Sequence, residues 1–510
     1  MEKEIAIIGG GISGLIACKY SLSKGFKPIV FESKSGIGGV WAKTIKTCCL
    51  QSSKQDYQFS DFPWPHSVQD FPTQQQVMDY LNSYAKHFDL VKHIRFNHKV
   101  ISIDYEGPSE EEMKSWSFWG GNGEAFSSKG KWNVEFQHTH TLFTQVWQVD
   151  FVMVCTGWAS DVPNFPEFPV GKGPEVFHGE VIHSMDYYAM DHQYASHFIK
   201  DKRVTVIGFQ KSALDIVMEC ATQNGIENPS RILYRTAQWH VSDDFPWGVP
   251  ISYLYFNRFA ELMVHKPGES FLLSLLATIL SPLKWATAKF VESHIKHKHG
   301  LAKYGMVPKH GFYEQISSCL LTVLPHNFYD KVEEGSIILT KAPKFSFCKQ
   351  GIIIDGQDQP LETDLVILAT GFKGDQKLRD IFKSKSFQQC ITTSLYRECI
   401  NPKIPQLAVI GYSESLSDLF TSEIRCRWVT ELLDGKFKIP CIKDVEKDVK
   451  NWDKFKKKYA GAVYNKSCIA GVHIWYNDQL CKDMGWNPKR KKNILAELFE
   501  PYGPQDYVSP

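Results

Sequence analysis

The order of apolar and polar positions predicts two copies of one strand–helix–strand unit. Residues 4–33, "EIAIIGGGISGLIACKYSLSKGFKPIVFES", begin with a β-rich run, turn at glycines, continue at helical spacing and end in a second β-rich run. Residues 202–236 repeat this order. Two further segments, "DFVMVCTGW" (150–158) and "DLVILATGF" (364–372), both end in Thr-Gly-aromatic. The repetition predicts an α/β protein with two doubly wound, Rossmann-like dinucleotide-binding domains.

The same pattern predicts the domain order. We expect residues 1–165 to form the first part of one domain, 166–384 the second domain, and 385–510 the remainder of the first domain with C-terminal helices. Aromatic and apolar helical segments at about 240–345 interrupt the second domain. This mostly helical insertion is placed to cover the active site or to form a substrate lid.

Shorter patterns fill the spaces between these units. Residues 72–90 place one apolar face on a helix, formed by Val77, Tyr80, Leu81, Tyr84 and Phe88. "KWNVEFQ" and "QVWQVDFVMV" predict strands, and the Gly/Ser-rich "WGGNGEAFSSKG" predicts a surface loop.

Composition excludes several kinds of protein. The 510 residues suffice for two or three domains, and 43% hydrophobic with 22% charged residues is typical of a soluble globular chain. A net charge of +2 gives no sign of a nucleic-acid partner. The 13 cysteines include no Cys-x-x-Cys pair, so we expect reduced thiols rather than a disulfide framework, a zinc ribbon or a redox dithiol.

Hydropathy predicts a cytoplasmic protein. The first strand begins at residue 4, which leaves no room for a signal peptide, and the C-terminus carries no anchor or peroxisomal tripeptide. The most apolar run, residues 270–283, is shorter than the ~20 residues that cross a bilayer. It predicts a buried or interfacial helix without a transmembrane anchor, and it leaves open a loose peripheral contact with a membrane such as the endoplasmic reticulum.

The first glycine loop has the arrangement of a dinucleotide site. Gly9, Gly11 and Gly14 follow a strand and open a helix, so they permit a tight turn, approach of backbone amides to a pyrophosphate, and close helix–strand packing. Glu32 ends the second strand, where its carboxylate accepts hydrogen bonds from ribose hydroxyls. This loop suits FAD or NAD. Further candidate residues on this side are Ser13, Gly38, Gly39, Val40, Trp41, Ser53, Thr156 and Gly157.

The second glycine loop departs from the Gly-x-Gly-x-x-Gly pattern of the first, and its residues favour a different ligand. Gln210 stands where the middle glycine is expected, and Ala213 stands at the tolerated third position. Arg235 replaces the acid at the end of the second strand, and a guanidinium there suits the 2′-phosphate of NADP. The remaining candidates on this side are Gly208, Lys211, Ser212, Thr370 and Gly371.

The stretch "FHGEVIHSMDY" (177–187) lies between the two loops. Its two histidines are five residues apart and no further His/Cys cluster is near in sequence, so we predict no metal site. With Phe177, Gly179, His183 and Tyr187 it matches Phe-x-Gly-x-x-x-His-x-x-x-aromatic. We expect a linker between the domains in which Gly179 allows a turn and His183 hydrogen-bonds across the junction.

These residues resemble the flavin-containing monooxygenase family of class B flavoprotein monooxygenases. "SKQDYQFSDFPWP" (53–65), "LATGF" (368–372) and "SEIRCRW" (422–428) extend the resemblance over nearly the whole chain. "GVW", "SDFPWP", "HSMDY" and "EPYGPQDY" look like the plant group that includes N-hydroxypipecolate synthase. The shorter plant enzymes of auxin synthesis share the core but lack so long an insertion.

The resemblance implies FAD and NADPH as cofactors, with His183 among the cofactor-binding residues. It also implies that a C4a-hydroperoxyflavin formed with O2 oxygenates a soft nucleophile. We expect an N-oxygenase of a small amine or amino-acid-derived metabolite, for example a cyclic amino acid. S-oxygenation of a thioether and oxime formation are alternatives within the same chemistry, and oxidative decarboxylation fits less well because of the insertion.

One active-site position departs from the family pattern. Gln51, in "LQSSK", stands where the family usually has Asn, so the amide reaches about 1.5 Å further. Gln51 is therefore the candidate catalytic residue. Gln51 and Gln210 keep open a non-catalytic flavoprotein that binds a partner. A disulfide reductase would also pair two such domains, but the adjacent Cys48 and Cys49 do not suit its dithiol.

Overall fold

The computed structural model describes residues 3–159, 161–241, 245–415, 417–461 and 468–508. Two five-stranded parallel sheets form its centre, which confirms the predicted pair of doubly wound folds. The first sheet contains, in spatial order, Leu407–Val409 (β18), Phe151–Val154 (β7), Glu4–Ile8 (β1), Lys27–Phe31 (β2) and Ile94–Arg95 (β3). The second contains Ile337–Lys341 (β13), Ser230–Tyr234 (β10), Val204–Ile207 (β9), Leu365–Leu368 (β17) and Glu180–His183 (β8).

The remaining strands form three smaller sheets. Two antiparallel three-stranded sheets and one parallel pair consist of His98–Glu106 (β4), Lys131–His138 (β5) and Thr144–Val149 (β6); Phe345–Cys348 (β14), Gly351–Ile354 (β15) and Leu361–Glu362 (β16); and His240–Val241 (β11) with Thr322–Val323 (β12).

Seventeen α-helices lie in the described part of the chain, and the longest is α9. In chain order they are Ile12–Ser23 (α1), Gln74–His87 (α2), Glu110–Ser115 (α3), Ser184–Ala189 (α4), His192–Ile199 (α5), Lys211–Asn224 (α6), Ile251–Tyr255 (α7), Arg258–Leu262 (α8), Phe271–His299 (α9), Phe312–Ser317 (α10), Phe328–Glu333 (α11), Gly374–Asp380 (α12), Lys385–Cys390 (α13), Asp418–Leu433 (α14), Ile442–Ala460 (α15), His473–Asp483 (α16) and Ile494–Phe499 (α17).

Each large sheet separates two apolar cores. In β1, Ile5 and Ile7 enter the core on one face, whereas Ala6 and Ile8 enter the core on the other. β17 behaves in the same way in the second sheet. Strands buried on both faces explain why these segments are continuously apolar rather than alternating, and why the repeat is so clear in the sequence.

Several local predictions are confirmed. α2 begins at a capping box formed by Thr73 and Gln76 and buries Val77 and Tyr80 with its other predicted apolar positions, while Phe88 lies just beyond its end. Strands β5, β6 and β7 form where the alternation predicts them. The Gly/Ser-rich segment is less exposed than predicted, because Trp119 is buried and its Nε1 donates to the Ile404 carbonyl.

The insertion is mostly helical, as predicted, but one part of the predicted range belongs to the sheet. β13 pairs with β10 in parallel, so the helical segment ends before Ile337. The apolar run at residues 270–283 is only the first half of α9, which has 29 residues and is long and apolar enough to cross a membrane by length and composition alone. The expectation of a helix too short to span is therefore wrong for α9 as a whole.

Two further predictions are corrected. The stretch 177–187 is no linker: it forms β8, which pairs with β17 at the edge of the second sheet, and then α4. Gly179 is needed for packing rather than for a turn, since a Cβ there would lie 2.4 Å from the Asp364 carbonyl oxygen. The expectation that all cysteines are reduced is wrong in this structure, where Cys319 of the insertion and Cys468 form a disulfide.

Candidate functional site

The loop after β1 has the shape that a pyrophosphate requires. Gly9 has φ +110°, and a Cβ there would lie 2.7 Å from the Cys155 carbonyl oxygen. At Gly14 a Cβ would lie 1.8 Å from the Gly9 carbonyl oxygen, so α1 approaches the loop as closely as glycine allows. No described side chain caps the α1 N-terminus at Gly11, so its backbone N–H groups are available to an anion.

A second glycine turn faces the first. Gly39 has φ +58°, and a Cβ on it would lie 3.1 Å from Gly11 Cα. The Gly38 N–H donates to the Gly10 carbonyl (3.2 Å), which fixes the two turns against each other. Two backbones without side chains thus form one wall of the site, which fits a bulky dinucleotide.

A third glycine turn was not predicted. Gly411 follows β18 with φ +75°, and a Cβ there would lie 2.2 Å from Ser13 Oγ, in the first turn of α1. The sequence carries a usable indication in "LAVIGY", a short apolar strand that ends in glycine as "EIAIIGG" does. Because β18 and β1 belong to one parallel sheet, their carboxyl ends lie at the same edge.

Glu32 occupies the predicted position at the end of β2. Its side chain is buried; Oε2 accepts from the Gly10 N–H (2.7 Å) and Oε1 accepts from the Lys34 N–H (2.8 Å). These bonds hold the carboxylate against the loop, and the remaining lone pairs can accept from ribose hydroxyls.

The other candidates on this side surround the glycine turns. Trp41 Nε1 donates to the Tyr57 hydroxyl (2.9 Å), and Ser53 Oγ donates to Asp56 Oδ2 (2.8 Å). Val40 is exposed beside Trp41. The Thr156 carbonyl accepts from Lys377 Nζ (2.7 Å), next to the turn at Gly157, where φ is +67°.

The loop after β9 repeats only the first glycine turn of the loop after β1, the turn at Gly9. Gly208 has φ +141°, and a Cβ there would lie 2.4 Å from the Ala369 carbonyl oxygen. Gln210 is the N-cap residue of α6 with an extended backbone, and Ala213 is fully buried. Lys211 and Ser212 have protein partners: Lys211 Nζ pairs with Asp215 (2.7 Å), and Ser212 hydrogen-bonds Tyr188. Burial raises the pKa of Asp215.

Arg235 is the first residue after β10. It is exposed, and no ion pair joins its guanidinium to a described carboxylate, whereas Arg203 pairs with Glu362 and Asp364. A guanidinium beside the second glycine loop, without a protein carboxylate to neutralise it, fits a ligand that carries a 2′-phosphate.

His183 has a structural role that differs from the predicted one. Its side chain is 0% exposed. Nδ1 accepts from the Met185 N–H (3.1 Å), so Nε2 carries the proton and donates to the Gly371 carbonyl (3.1 Å). Burial lowers its pKa, which keeps the ring neutral. The predicted hydrogen bond across the domain junction is therefore wrong, because His183 bonds to the Thr370–Gly371 turn of its own domain. Its contact with a cofactor stays a prediction.

Gln51 lies where the two domains meet. Its Oε1 accepts from the Val323 N–H of β12 (3.1 Å), so the insertion reaches across to the first domain. The neighbouring residue of the same strand, Thr322, donates through Oγ1 to Gln210 Oε1 (2.6 Å). The two glutamines that depart from expectation thus contact consecutive residues of one short strand, a link that no sequence pattern predicts.

The described residues contain no group of three His, Cys, Asp or Glu side chains that is able to hold a metal ion. Both five-stranded sheets present a glycine loop and a helix N-terminus at their carboxyl edges. The residues fit FAD at the first loop, with Glu32 for the ribose, and NADPH at the second, with Arg235 for the phosphate.

Comparisons with known proteins agree with this geometry. The chain matches the family described as Flavin-binding monooxygenase-like over residues 2–499. It is 39% identical to probable flavin-containing monooxygenase 1 of Arabidopsis thaliana, over 99% of this chain and 96% of that protein. It is 36% identical to putative flavin-containing monooxygenase 2 of the same plant, over 96% and 98%.

Solved structures show the same fold. S-allyl-L-cysteine S-oxygenase from Allium sativum aligns with a TM-score of 0.60 at 16% identity, over 96% of this chain and 89% of that one. A steroid monooxygenase bound to NADP aligns with a TM-score of 0.66 at 19% identity, over 95% and 98%. The chain is a member of the flavin-containing monooxygenases, enzymes that use FAD and NADPH to oxygenate small molecules with O2.

Proposed function

We propose that this monooxygenase oxygenates a nucleophilic nitrogen of a small amine or amino-acid-derived metabolite, for example by N-hydroxylation of a cyclic amino acid. The proposal rests on the surroundings of Gln51. Its Oε1 is occupied by the Val323 N–H, so Nε2 is the group left to donate a hydrogen bond. A donor of this kind suits the carboxylate of an amino-acid-derived substrate and leaves the substrate nitrogen unengaged.

The insertion stands on one side of Gln51. The Val323 N–H of β12 donates to the exposed Gln51 side chain, and the Leu324 N–H donates to the Val241 carbonyl (2.8 Å), which holds β12 against β11. His240 of β11 is buried and its Nε2 bonds to the Phe209 carbonyl (3.0 Å), so this pair of strands is anchored to the NADPH loop. This arrangement fixes one side of the space into which Gln51 can donate a hydrogen bond to a substrate.

FAD, when bound and reduced by NADPH, supplies the activation of O2. The chain contributes binding and geometry. The N-terminus of α1 and the facing glycine turns bind the pyrophosphate, and Arg235 selects the phosphorylated nicotinamide cofactor. Gln51 orients the substrate from the domain junction.

The test compares two substrates of matched size under turnover with NADPH and air: a cyclic secondary amino acid, and a thioether amino acid. Mass spectrometry follows the gain of one oxygen, and oxygen uptake, NADPH oxidation and peroxide release are measured in the same samples. We expect the amine to gain oxygen with little peroxide. Oxygen transfer to the thioether alone would replace the proposal by S-oxygenation, and loss of water after double oxygenation of a primary amine would indicate oxime formation.

A further inference from the structure

The insertion contacts the second glycine loop at two consecutive residues. His240 of β11 is buried, and its Nε2 donates to the Phe209 carbonyl (3.0 Å). Thr322, the first residue of β12, donates through Oγ1 to Oε1 of Gln210, the next residue of the loop (2.6 Å). His240 and Thr322 are partners in the parallel pairing of the two strands. One short sheet of the insertion therefore holds the loop by its backbone and by a side chain.

Thr322 is held on both sides along the chain. Its side chain is buried, with 3% of the residue exposed. Two residues before it, the Leu320 carbonyl accepts from Gln315 Nε2 of α10 (2.6 Å). On its other side, the Val323 N–H donates to Gln51 Oε1 (3.1 Å), so the contact with the first domain belongs to Val323 and not to Thr322. The Thr322 hydroxyl is thus a fixed point against which the loop is placed.

The length of the Thr322–Gln210 contact determines which end of the amide faces the hydroxyl. A separation of 2.6 Å is typical of an O–H···O hydrogen bond, whereas N–H···O bonds centre on about 2.9–3.0 Å. The amide oxygen of Gln210 therefore accepts from Thr322, and Nε2 is left as the donor. Gln210 is partly exposed, and its Nε2 has no hydrogen-bond partner among the residues that the structure describes.

Gln210 occupies the loop position at which a dinucleotide site usually has its second glycine. A glycine there lets the backbone approach the pyrophosphate, and a side chain that pointed into the loop would obstruct this approach. Gln210 is the N-cap residue of α6, but its side chain forms no cap hydrogen bond. The N–H groups in the first turn of α6 are therefore not occupied by this side chain, and its amide donor remains for a ligand.

The orientation of the amide decides whether Gln210 favours or opposes a bound dinucleotide. Pyrophosphate oxygens are negatively charged and accept hydrogen bonds, and a bond from an N–H group to a charged oxygen is stronger than one between neutral groups. An amide oxygen turned towards the same place would add an acceptor where a donor is needed. A residue that fixes the amide oxygen elsewhere therefore affects binding without touching the ligand.

We infer that Thr322 is a positioning residue that orients the Gln210 amide so that Nε2 donates to the pyrophosphate of NADPH. At this position a side-chain N–H then replaces the close backbone approach that the usual glycine allows. Thr322 acts through Gln210 and does not contact the cofactor. The inference rests on NADPH as the cofactor of the second loop, and it goes beyond the proposed function because it requires no particular substrate.

Calorimetric titration of the oxidised, FAD-containing enzyme tests the role of Gln210 without turnover. Three ligands are compared: NADP+; 2′-phospho-ADP-ribose, which keeps the pyrophosphate but lacks the nicotinamide; and 2′-AMP, which has no pyrophosphate. We expect Gln210→Ala to raise Kd for the first two ligands by about tenfold or more, the range for a hydrogen bond to a charged group, and to leave Kd for 2′-AMP unchanged. Arg235→Gln should raise Kd for all three. An equal loss for 2′-AMP in Gln210→Ala would overturn the inference.

Gln210→Gly restores the usual loop and separates a binding role from an obstruction. If Nε2 donates to the pyrophosphate, this variant should bind NADP+ more weakly than the unaltered enzyme, as Gln210→Ala does. Unchanged or tighter binding of NADP+ by Gln210→Gly would overturn the inference, because the side chain would then contribute nothing to the site or obstruct it.

Thr322→Val removes the hydroxyl and keeps the shape of the side chain, whereas Thr322→Ser keeps the hydroxyl. We expect Thr322→Val to raise Kd for NADP+ and for 2′-phospho-ADP-ribose by about 2- to 10-fold, the range for one neutral hydrogen bond. Thr322→Ser should bind both ligands as the unaltered enzyme does. Equal Kd values in the valine and serine variants would show that the hydroxyl does not act, and would overturn the inference.

Thr205→Val is the matched control, since it removes another buried threonine hydroxyl from the same domain. Thr205 lies in β9 and is 1% exposed, and its Oγ1 donates to Thr363 Oγ1 (3.0 Å). Thermal unfolding and FAD content measure the loss of folding in each variant. We expect Thr205→Val to lower Tm and to leave Kd for NADP+ unchanged. An equal rise in Kd in Thr205→Val and Thr322→Val would assign the effect to stability and overturn the inference.

A double-mutant cycle tests the link between the two side chains. If Thr322 acts through Gln210, the rise in Kd caused by Thr322→Val should largely disappear in the Gln210→Ala background. Additive losses would overturn the inference. Because NADP+ binding is measured without substrate, the inference can fail while the amine is still oxygenated, and it can hold while the amine is not.

Discussion

The two glycine loops begin alike and then diverge. At Gly9 and at Gly208 a Cβ would collide with a carbonyl oxygen of the neighbouring strand end, that of Cys155 or of Ala369. Beyond this first turn the loops share no glycine: Gln210 and Ala213 replace the second and third positions. The comparison shows that the first glycine is required by the parallel sheet itself, whereas the others depend on the ligand and on helix packing.

The helices that follow the two loops also differ in how closely they approach their loops. A Cβ at Gly14 would lie 1.8 Å from the Gly9 carbonyl oxygen, but the second helix accommodates the real Cβ of Ala213. α6 therefore lies less close to its loop than α1 does. The first site is the tighter of the two, which agrees with a cofactor that stays bound, and the second is the looser, which suits a cofactor that is exchanged.

The largest expected effect comes from adding a side chain at Gly14 in the first, tighter site. Gly14→Ala must move α1 away from the Gly9 turn, so we expect about a tenfold or greater loss of FAD from the purified protein. The ratio of flavin to protein absorbance measures it. The control, Ala213→Gly, should cost about 1 kcal/mol of helix stability and keep the flavin. Equal flavin content in both variants would contradict the difference between the loops.

The second prediction concerns cofactor choice at the looser site. Arg235→Gln should raise KM for NADPH by about 10- to 100-fold, because a charge-assisted hydrogen bond contributes about 1.5–3 kcal/mol. KM for NADH should stay unchanged. Steady-state oxidation of both nucleotides provides the measurement, and Arg231→Gln, on the same strand, is the matched control. A parallel rise for NADH would exclude recognition of the 2′-phosphate.

The third prediction addresses the junction between the sites. Gln51→Ala should leave FAD bound and direct NADPH oxidation mainly to hydrogen peroxide, with several-fold more peroxide per NADPH. The cause is the loss of both the Val323 contact and the donor beside the substrate. Oxygen uptake with a peroxide assay measures it, against Gln55→Ala, an exposed glutamine nearby. An unchanged yield of peroxide per NADPH would show that Gln51 does not act in the active site.

The smallest effect depends on pH. Burial lowers the pKa of His183 below its ordinary value of 6.5, so the neutral ring is the form that the fold stabilises. The stability that the neutral His183 ring contributes is fully present above pH 6.5 and is lost as the pH falls below 6.5. The Gly371 turn should therefore loosen in acid.

Two measurements check the expected direction of this pH effect. Between pH 7 and 5.5, KM for NADPH should rise while flavin content stays constant. His183→Gln keeps an amide donor and does not titrate, so its Tm should fall with acid by roughly 2 °C less than that of the unaltered enzyme. An identical pH dependence in both proteins would show that another group controls the turn.

The doubly wound folds could be predicted because each strand–helix–strand unit is local in sequence. Gly9, Gly14, Glu32 and Arg235 could be placed for the same reason, since their positions relative to strand ends determine what they face. α2 followed from its apolar face and its cap. In all these cases neighbours in sequence are also neighbours in space.

The contacts that were not predicted join distant parts of the chain. β12 has two residues, too few for any periodicity, and its partners Gln51 and Gln210 lie 272 and 112 residues away. Cys319 and Cys468 are separated by 149 residues and lack any spacing motif. β8 has polar residues at both ends, so its place at the edge of a sheet depends on β17 rather than on its own pattern.

The position of β18 has a consequence for synthesis. Four strands of the first sheet are encoded before residue 155, but the fifth, Leu407–Val409, follows the entire second domain, and α14, which packs on α1, comes later still. Domains fold as units while the chain leaves the ribosome. The NADPH domain is uninterrupted by the other domain and is complete first, whereas the unfinished first sheet exposes the free edge of β7 until the last quarter of the chain emerges. A nascent chain is thus most vulnerable to aggregation in the domain that it begins to make first.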